Sequence, residues 1–382
     1  MKRIALLLLA TLTLLMSCAS NETVGGDKEQ DNVTESDANN SNKKPSDQTE
    51  SDESDNKSDT FKEIDLIDIE GMVSTVDFRL DQDGDTLHWG EKDQFASNDI
   101  RGNVWLDGEI VALDMDRFGH GSIVTPSGKI VNTEAEDRIY STIILDPRSG
   151  EVEKFTKDDG NKDVIVPAIF NFREEPLSIA KRRDYVDGYQ YFIWYFESNE
   201  FVDIDMTEWI TKEVGEIENP QYATVILSTN GEKVHVGHKE GTFQYDIETQ
   251  EFDTLLTEED NALTLTYTTS DDKYLVYFKD EQDDNHNQPI YGMELETKEK
   301  FEIGLGVNTQ MLDDGKMFYR DQQELYVYDF AMRESQLLYT IKLKEDEELK
   351  FVTISGDSNT IAYAYEIDLE DGEEMKIRVL RR

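Results

Sequence analysis

Thr229-Asn230-Gly231-Glu232-Lys233-Val234-His235-Val236 is a turn followed by an extended run. Asn-Gly favours a tight hairpin because the turn needs residues at positive φ, and Val-His-Val has the β-branched character of a strand. The arrangement recurs along the chain. Turns at Asp81-Gln82-Asp83-Gly84, Pro126-Ser127-Gly128-Lys129 and Val186-Asp187-Gly188 precede Leu87-His88-Trp89, Ile130-Val131 and Tyr191-Phe192-Ile193-Trp194. Turns at Ser270-Asp271-Asp272-Lys273, Asp313-Asp314-Gly315-Lys316 and Ser355-Gly356-Asp357-Ser358 precede Tyr274-Leu275-Val276-Tyr277, Met317-Phe318-Tyr319 and Ile361-Ala362-Tyr363.

Successive turns lie about 42 residues apart, apart from one spacing of about 60 in the third unit. A second marker keeps step with the first: a strand ends in an acid, a short turn follows, and another strand begins. It occurs at Asp146 before Val152, Asp246 before Phe252, Glu294 before Phe301 and Asp329 before Leu337. Two hairpins in a fixed order predict four strands per unit, which is the pattern of a propeller blade. With Thr125-Pro126-Ser127-Gly128-Lys129 as its nearest match, the repeat resembles the WD40-like repeats of TolB-type propellers. The resemblance implies an all-β fold, a β-propeller of four-stranded antiparallel blades. Seven turns argue for seven blades, with six and eight as the neighbouring counts. A strand near Ile64–Ile69 is expected to complete the last blade, since an open edge invites aggregation. The long spacing in the third unit predicts an insertion at Arg173–Asp184. Brief helical character is expected around Ala180–Arg183 and over Thr207–Val214. A pair of β-sandwiches is the rival architecture; a solenoid fits less well, because the strands pair by hairpins.

The start of the chain has a different logic. Met1-Lys2-Arg3 is followed by an apolar run from Ile4 to Met16, too short to span a bilayer comfortably and suited to a secretory signal. Leu15-Met16-Ser17-Cys18 resembles the bacterial lipobox, with methionine as its departure at the middle position. The resemblance implies cleavage before Cys18, thioether lipidation of Cys18 and acylation of the new terminus. Cys18 is the one cysteine in the chain, so an internal disulfide, a Cys-ligated zinc site and a Cys–Cys redox pair are excluded. Residues 1–17 are therefore read as signal peptide. Residues 18–60 read as a lipidated, acidic and disordered tether with almost nothing apolar to bury. A coil of that length reaches roughly 35 Å. Residues 61–382 are read as the propeller. The expected location is the outer face of the cytoplasmic membrane, or an outer membrane if the host has two.

The chain carries 84 acidic against 38 basic residues, a formal charge of −46. Such a surface repels phosphate backbones, which excludes nucleic acid as a partner, and it gains nothing from anionic membrane. The acids are spread through every repeat, as solvation would spread them. An anionic face for a cationic partner is the alternative. Lys181-Arg182-Arg183 is the small basic exception. Placed in the expected insertion, it is a candidate partner contact, against a solvated loop.

Asp81, Asp83 and Asp85 resemble the first oxygen positions of an EF-hand loop, which makes Ca2+ the one cofactor considered. The pattern then departs: Thr86 stands where glycine is expected and Lys92 where the bidentate glutamate is expected. An ordinary hairpin turn is the competing reading. His235 and His238 lie three apart on an expected strand and so point to opposite faces. With His88, His120 and His286 they are expected as ordinary half-buried or surface histidines. Asp280–Asp284 with Asn285 and His286 reads as a solvated loop or a cation site. There is no Gly-x-Ser-x-Gly elbow. Propeller glycosidases work with paired carboxylates, which this composition offers without singling out any pair. The sequence therefore favours a non-enzymatic binding or scaffolding lipoprotein with a protein or wall-polymer partner. The alternatives are a carboxylate-dependent glycan hydrolase or lyase and a calcium-dependent sensor.

Overall fold

The computed structural model describes residues 61–382, apart from 70–71, 74–77, 93–99, 114–121, 126, 137–138, 157–165, 171–177, 183–189, 196–199, 206–210, 213–223, 229–231, 239, 261, 270, 284–286 and 370–371. Thr60–Arg382 forms one compact unit. The signal peptide, Cys18 and the tether lie outside the described residues.

β1 (Lys62–Ile69) comes first. The first unit has its innermost strand in two pieces, β2 (Met72–Val73) and β3 (Arg79–Leu80), followed by β4 (Thr86–Lys92), β5 (Ile100–Leu106) and β6 (Glu109–Ala112). The second unit is β7 (Ile123–Val124), β8 (Ile130–Glu136), β9 (Ile139–Leu145) and β10 (Val152–Thr156). The third is β11 (Val166–Phe170), β12 (Ser178–Arg182), β13 (Gln190–Tyr195) and β14 (Glu200–Asp205). The fourth is β15 (Thr224–Leu227), β16 (Lys233–His238), β17 (Gly241–Asp246) and β18 (Phe252–Thr257). The fifth begins β19 (Ala262–Thr268), β20 (Tyr274–Lys279), β21 (Gln288–Glu294). Its outer strand is the first half of β22 (Lys300–Met311), which pairs with β21 through Gly306. From Val307 the same strand pairs instead with β23 (Met317–Asp321) and opens the sixth unit, which continues through β24 (Glu324–Asp329) and β25 (Glu334–Thr340). The seventh is β26 (Glu347–Ile354), β27 (Thr360–Leu369) and β28 (Gly372–Arg381), with β1 antiparallel to β28 as its outer strand.

The body is a seven-bladed β-propeller whose last blade is closed by its first strand. Each blade runs A to D from the innermost strand outward. Antiparallel order puts all A–B and C–D turns at one end of the axis and all B–C connections at the other.

The core lies between blades, because alternate residues of a strand face opposite neighbours. On β27, Ile361, Tyr363 and Tyr365 pack toward the sixth blade with Phe318 and Leu325. Ala362 and Ala364, between them, pack toward the first blade with Trp89 and Trp105. That second cluster is the seam of the ring and includes Ile67 and Ile69 of the closing strand.

The third blade departs from expectation. Ser178–Arg182 is strand β12, in register with β11 and with Tyr191–Tyr195 of β13. Among the described residues of this blade, strand stands where the insertion and the helix were expected. Ala, Lys and Arg favour helix by propensity, but pairing on both sides overrides that preference. Val186-Asp187-Gly188 falls in the β12–β13 connection, outside the described residues. An Asp-Gly turn marks a hairpin without saying which hairpin, so the A–B turn of this blade was assigned one connection too late. Within Thr207–Val214 the described pair Thr211–Lys212 is helical.

Candidate functional site

The A–B turns are built to one pattern. In five of the blades the residue closing the innermost strand is a buried oxygen acceptor that takes a backbone N–H from beyond the turn. Thr86 N–H donates to Asp81 Oδ1 (3.0 Å), Lys129 N–H to Thr125 Oγ1 (3.0 Å) and Lys233 N–H to Ser228 Oγ (3.0 Å). Tyr274 N–H donates to Thr269 Oγ1 (3.1 Å) and Thr360 N–H to Ser355 Oγ (2.9 Å). Leu312 stands at this place in the sixth blade and offers no such acceptor.

This pattern gives Asp81 a role that the calcium reading did not foresee. It is 4 % exposed, and its Oδ1 accepts both Asp85 N–H (2.9 Å) and Thr86 N–H. Its Oδ2 lies 3.6 Å from Arg148 of the second blade. Burial raises the Asp81 pKa, against the pull of these hydrogen bonds. Asp85 turns away to Arg381 (2.8 Å), and Asp83 is exposed. The three carboxylates are held apart, and no three His, Cys, Asp or Glu residues among the described ones are grouped to hold a metal ion.

At the axis the turns of three blades are joined. Asp313 N–H donates to Gly356 O (3.2 Å) and Asp357 N–H to Gln82 O (3.0 Å). The Gln82 side chain lies near the Asp313 carboxylate and favours its charged form. Partial desolvation, together with the charges of Asp357, Asp314 and Asp83, raises the Asp313 pKa. One layer below, two residues before each turn, stand Arg79, Tyr267, Gln310 and Thr353. Gln310 Nε2 donates to Ile354 O (2.6 Å), Thr353 Oγ1 donates to Gln310 Oε1 (3.1 Å), and Leu80 N–H donates to Thr353 Oγ1 (3.3 Å). This chain ties the sixth, seventh and first blades. Burial raises the Tyr267 phenol and Arg79 opposes it. They belong to the fifth and first blades, which do not adjoin, so this influence acts across the axis. The arrangement offers a carboxyl that holds its proton more readily than a free one, set in an acidic surface around the axis.

The remaining candidates are placed elsewhere. Lys181 and Arg182 lie on β12, paired with β11 and β13 rather than on a rim loop, and Arg183 is outside the described residues. In the Asp280–Asp284 loop, Asp283 braces Asn287 by accepting its N–H (2.8 Å). His120 and His286 are outside the described residues. His88, His235 and His238 are buried, more deeply than expected. His238 pairs with Glu240.

His235 shares a hydrogen bond with Gln244 (3.1 Å), and burial holds its pKa down at about 4. An imidazole free in the unfolded chain titrates near 6.5. The unfolded state therefore binds the proton first, and stability falls as pH drops from about 6.5 toward 4, by roughly 3 kcal/mol at most. His235→Gln retains a donor toward Gln244 and removes the titration. Its melting temperature should fall less between pH 7 and 4.5 than that of the parent; parallel declines would refute the assignment.

No family model matches the chain, and no curated protein matches it. Among solved structures it is similar to an oligogalacturonate lyase from Vibrio parahaemolyticus, at 12 % identity and TM-score 0.50, over 82 % of this chain and 91 % of that one. It is also similar to an oligogalacturonate lyase in complex with manganese, at 13 % identity and TM-score 0.51, over 85 % and 96 %. The likeness is one of fold. Asp313, Gln82 and Arg79 were not singled out by sequence; the signal that could have pointed to Asp313 is its place beside the turn glycine of one repeat.

Proposed function

We propose that this is a membrane-anchored, extracytoplasmic binding and scaffolding lipoprotein, held by lipid on Cys18, with a propeller of TolB-type repeats as its binding body. The acidic end of the axis would face a partner protein with a basic surface. The observation that carries this reading is the engagement of the turn carboxylates. Asp81, Asp271, Asp314 and Asp357 each accept backbone N–H groups of their own turn (2.9–3.2 Å). A surface held this way is pre-organised, so little ordering cost opposes binding. Anionic wall polymer is repelled by it.

The test is crosslinking of the lipidated protein in its own membranes, beside Cys18→Ala and an Asp83→Asn, Asp313→Asn double variant. A stoichiometric protein partner, lost with either change and weakened by salt, supports the reading. A partner retained by the double variant moves the contact elsewhere, and wall polymer in its place changes the partner class. A second reading, a carboxylate-dependent glycan hydrolase or lyase, is favoured by the raised pKa of Asp313. Sugar release by the protein, abolished by Asp313→Asn alone, would establish it.

A further inference from the structure

β23 ends in Tyr319-Arg320-Asp321, at the end of the propeller opposite the A–B turns. Arg320 pairs with Val307 of β22 and Leu325 of β24. It follows Phe318 by two residues on the strand and so shares its face, the one packed between the sixth and seventh blades. Arg320 Nε is sealed from solvent and has no hydrogen-bond partner. No carboxylate among the described residues forms an ion pair with its guanidinium. The charge beside it is Asp321, whose Oδ1 already accepts Asn287 Nδ2 at 2.9 Å. Desolvation pulls the Arg320 pKa down, with Asp321 opposing.

Other arginines of the body are treated differently. Arg378 bonds Tyr363, Tyr365 and Glu63, Arg381 bonds Asp85 and Gly84 O, and Arg333 forms a two-pronged pair with Glu299. In a chain with 84 acidic residues, a largely buried guanidinium without an acid is an anomaly. Burying a charge without its counter-ion is costly, and an orphaned buried polar atom calls for a partner absent from the protein itself.

We propose that Arg320 anchors a site, on the face of the sixth blade that packs toward the seventh, for a small monocarboxylate with an apolar body. The planar fork of guanidinium matches carboxylate in two-pronged fashion. Val307, opposite Arg320 and partly exposed, offers an apolar contact, with buried Leu325 and Phe318 behind it, and such surroundings disfavour a strongly hydrated phosphate. The net charge of −46 repels polyanions far more than monoanions. Arg320 keeps partial solvent exposure, so a small solute can reach it.

The probe is benzoate, with neutral benzamide and inorganic phosphate as comparisons, read by thermal unfolding of the full chain. Benzoate should raise the melting temperature by a few degrees, with benzamide and phosphate doing much less. Arg320→Met, which removes the unpaired charge and keeps the stem, should melt at or above the parent temperature without ligand and should lose the benzoate response. Arg320→Lys keeps the charge without the fork and should bind at least tenfold more weakly. An equal benzoate shift in the parent and Arg320→Met would place the binding elsewhere. No shift in the parent at saturating benzoate, together with a destabilised Arg320→Met, would make Arg320 a structural residue and overturn the proposal. Phosphate acting as strongly as benzoate would overturn the ligand class.

Discussion

Deleting residues 61–69 should leave the protein without a cooperative thermal transition and drive it into oligomers. β1 is the outer strand of the seventh blade, in register with β28 from Lys62 to Ile69. Phe61, Ile67 and Ile69 are 8, 3 and 7 % exposed, and they bury into the two clusters on either side of that blade. Burying side chains of this size stabilises by about 1.5–3 kcal/mol each, so the three account for about 5–9 kcal/mol. That is comparable to the whole net stability of an ordinary domain, about 5–15 kcal/mol. Further links vanish with the strand: Asp65 Oδ2 accepts Trp105 Nε1 of the first blade (2.6 Å), and Glu63 pairs with Arg378 (2.8 Å). The freed edge of β28 then presents unpaired backbone groups, which promotes strand-to-strand association. Circular dichroism melting and size-exclusion chromatography give the answer. A monomer with an unchanged transition would show that the ring does not depend on this closure.

Gly84→Ala should destabilise the same seam by about 3 kcal/mol, where Gly108→Ala costs much less. Both glycines have positive φ, +74° and +100°. An alanine pays a conformational penalty of about 1–2 kcal/mol at either place. Their surroundings differ. A Cβ on Gly84 would meet Thr360 Cβ at 2.4 Å and Ser355 Cβ at 3.1 Å, whereas a Cβ on Gly108 meets nothing within 4 Å. Overpacking of that kind adds about 1–3 kcal/mol. It also pushes apart the first and seventh blades where Arg381 Nη2 donates to Gly84 O (2.8 Å). Urea titration of the two variants side by side reads the difference. Equal midpoints would mean that the turn moves away from β27 at little cost.

Other than at the seam, much of the architecture was legible because its causes are local. The acid ending three of the C strands is an example: Asp146, Asp246 and Asp329 accept N–H groups of Arg148, Thr249 and Met332, two or three residues on. A hydrogen bond that closes within three residues leaves a mark at fixed spacing, and so does a turn that needs positive φ. The third blade was misread for the same reason, since an Asp-Gly pair is a local signal that does not say which connection carries it.

The candidate site was less legible. Asp81 was visible as an acid in a turn, but its engagement with Thr86 and Arg148 was not. Nothing in Gln82 or Asp313 by themselves announces that they meet, because their sequence neighbours are ordinary turns. The amino-acid sequence by itself determined the strand period, the turn positions outside the third blade and the acidic balance, which follow from side-chain alternation and backbone preference within a few residues. Only the closed ring decided which acids stand together at the axis and, among the described residues, which arginines find a partner. Those pairings join residues tens to hundreds of positions apart, and the register of blade against blade, rather than any local preference, brings them within reach.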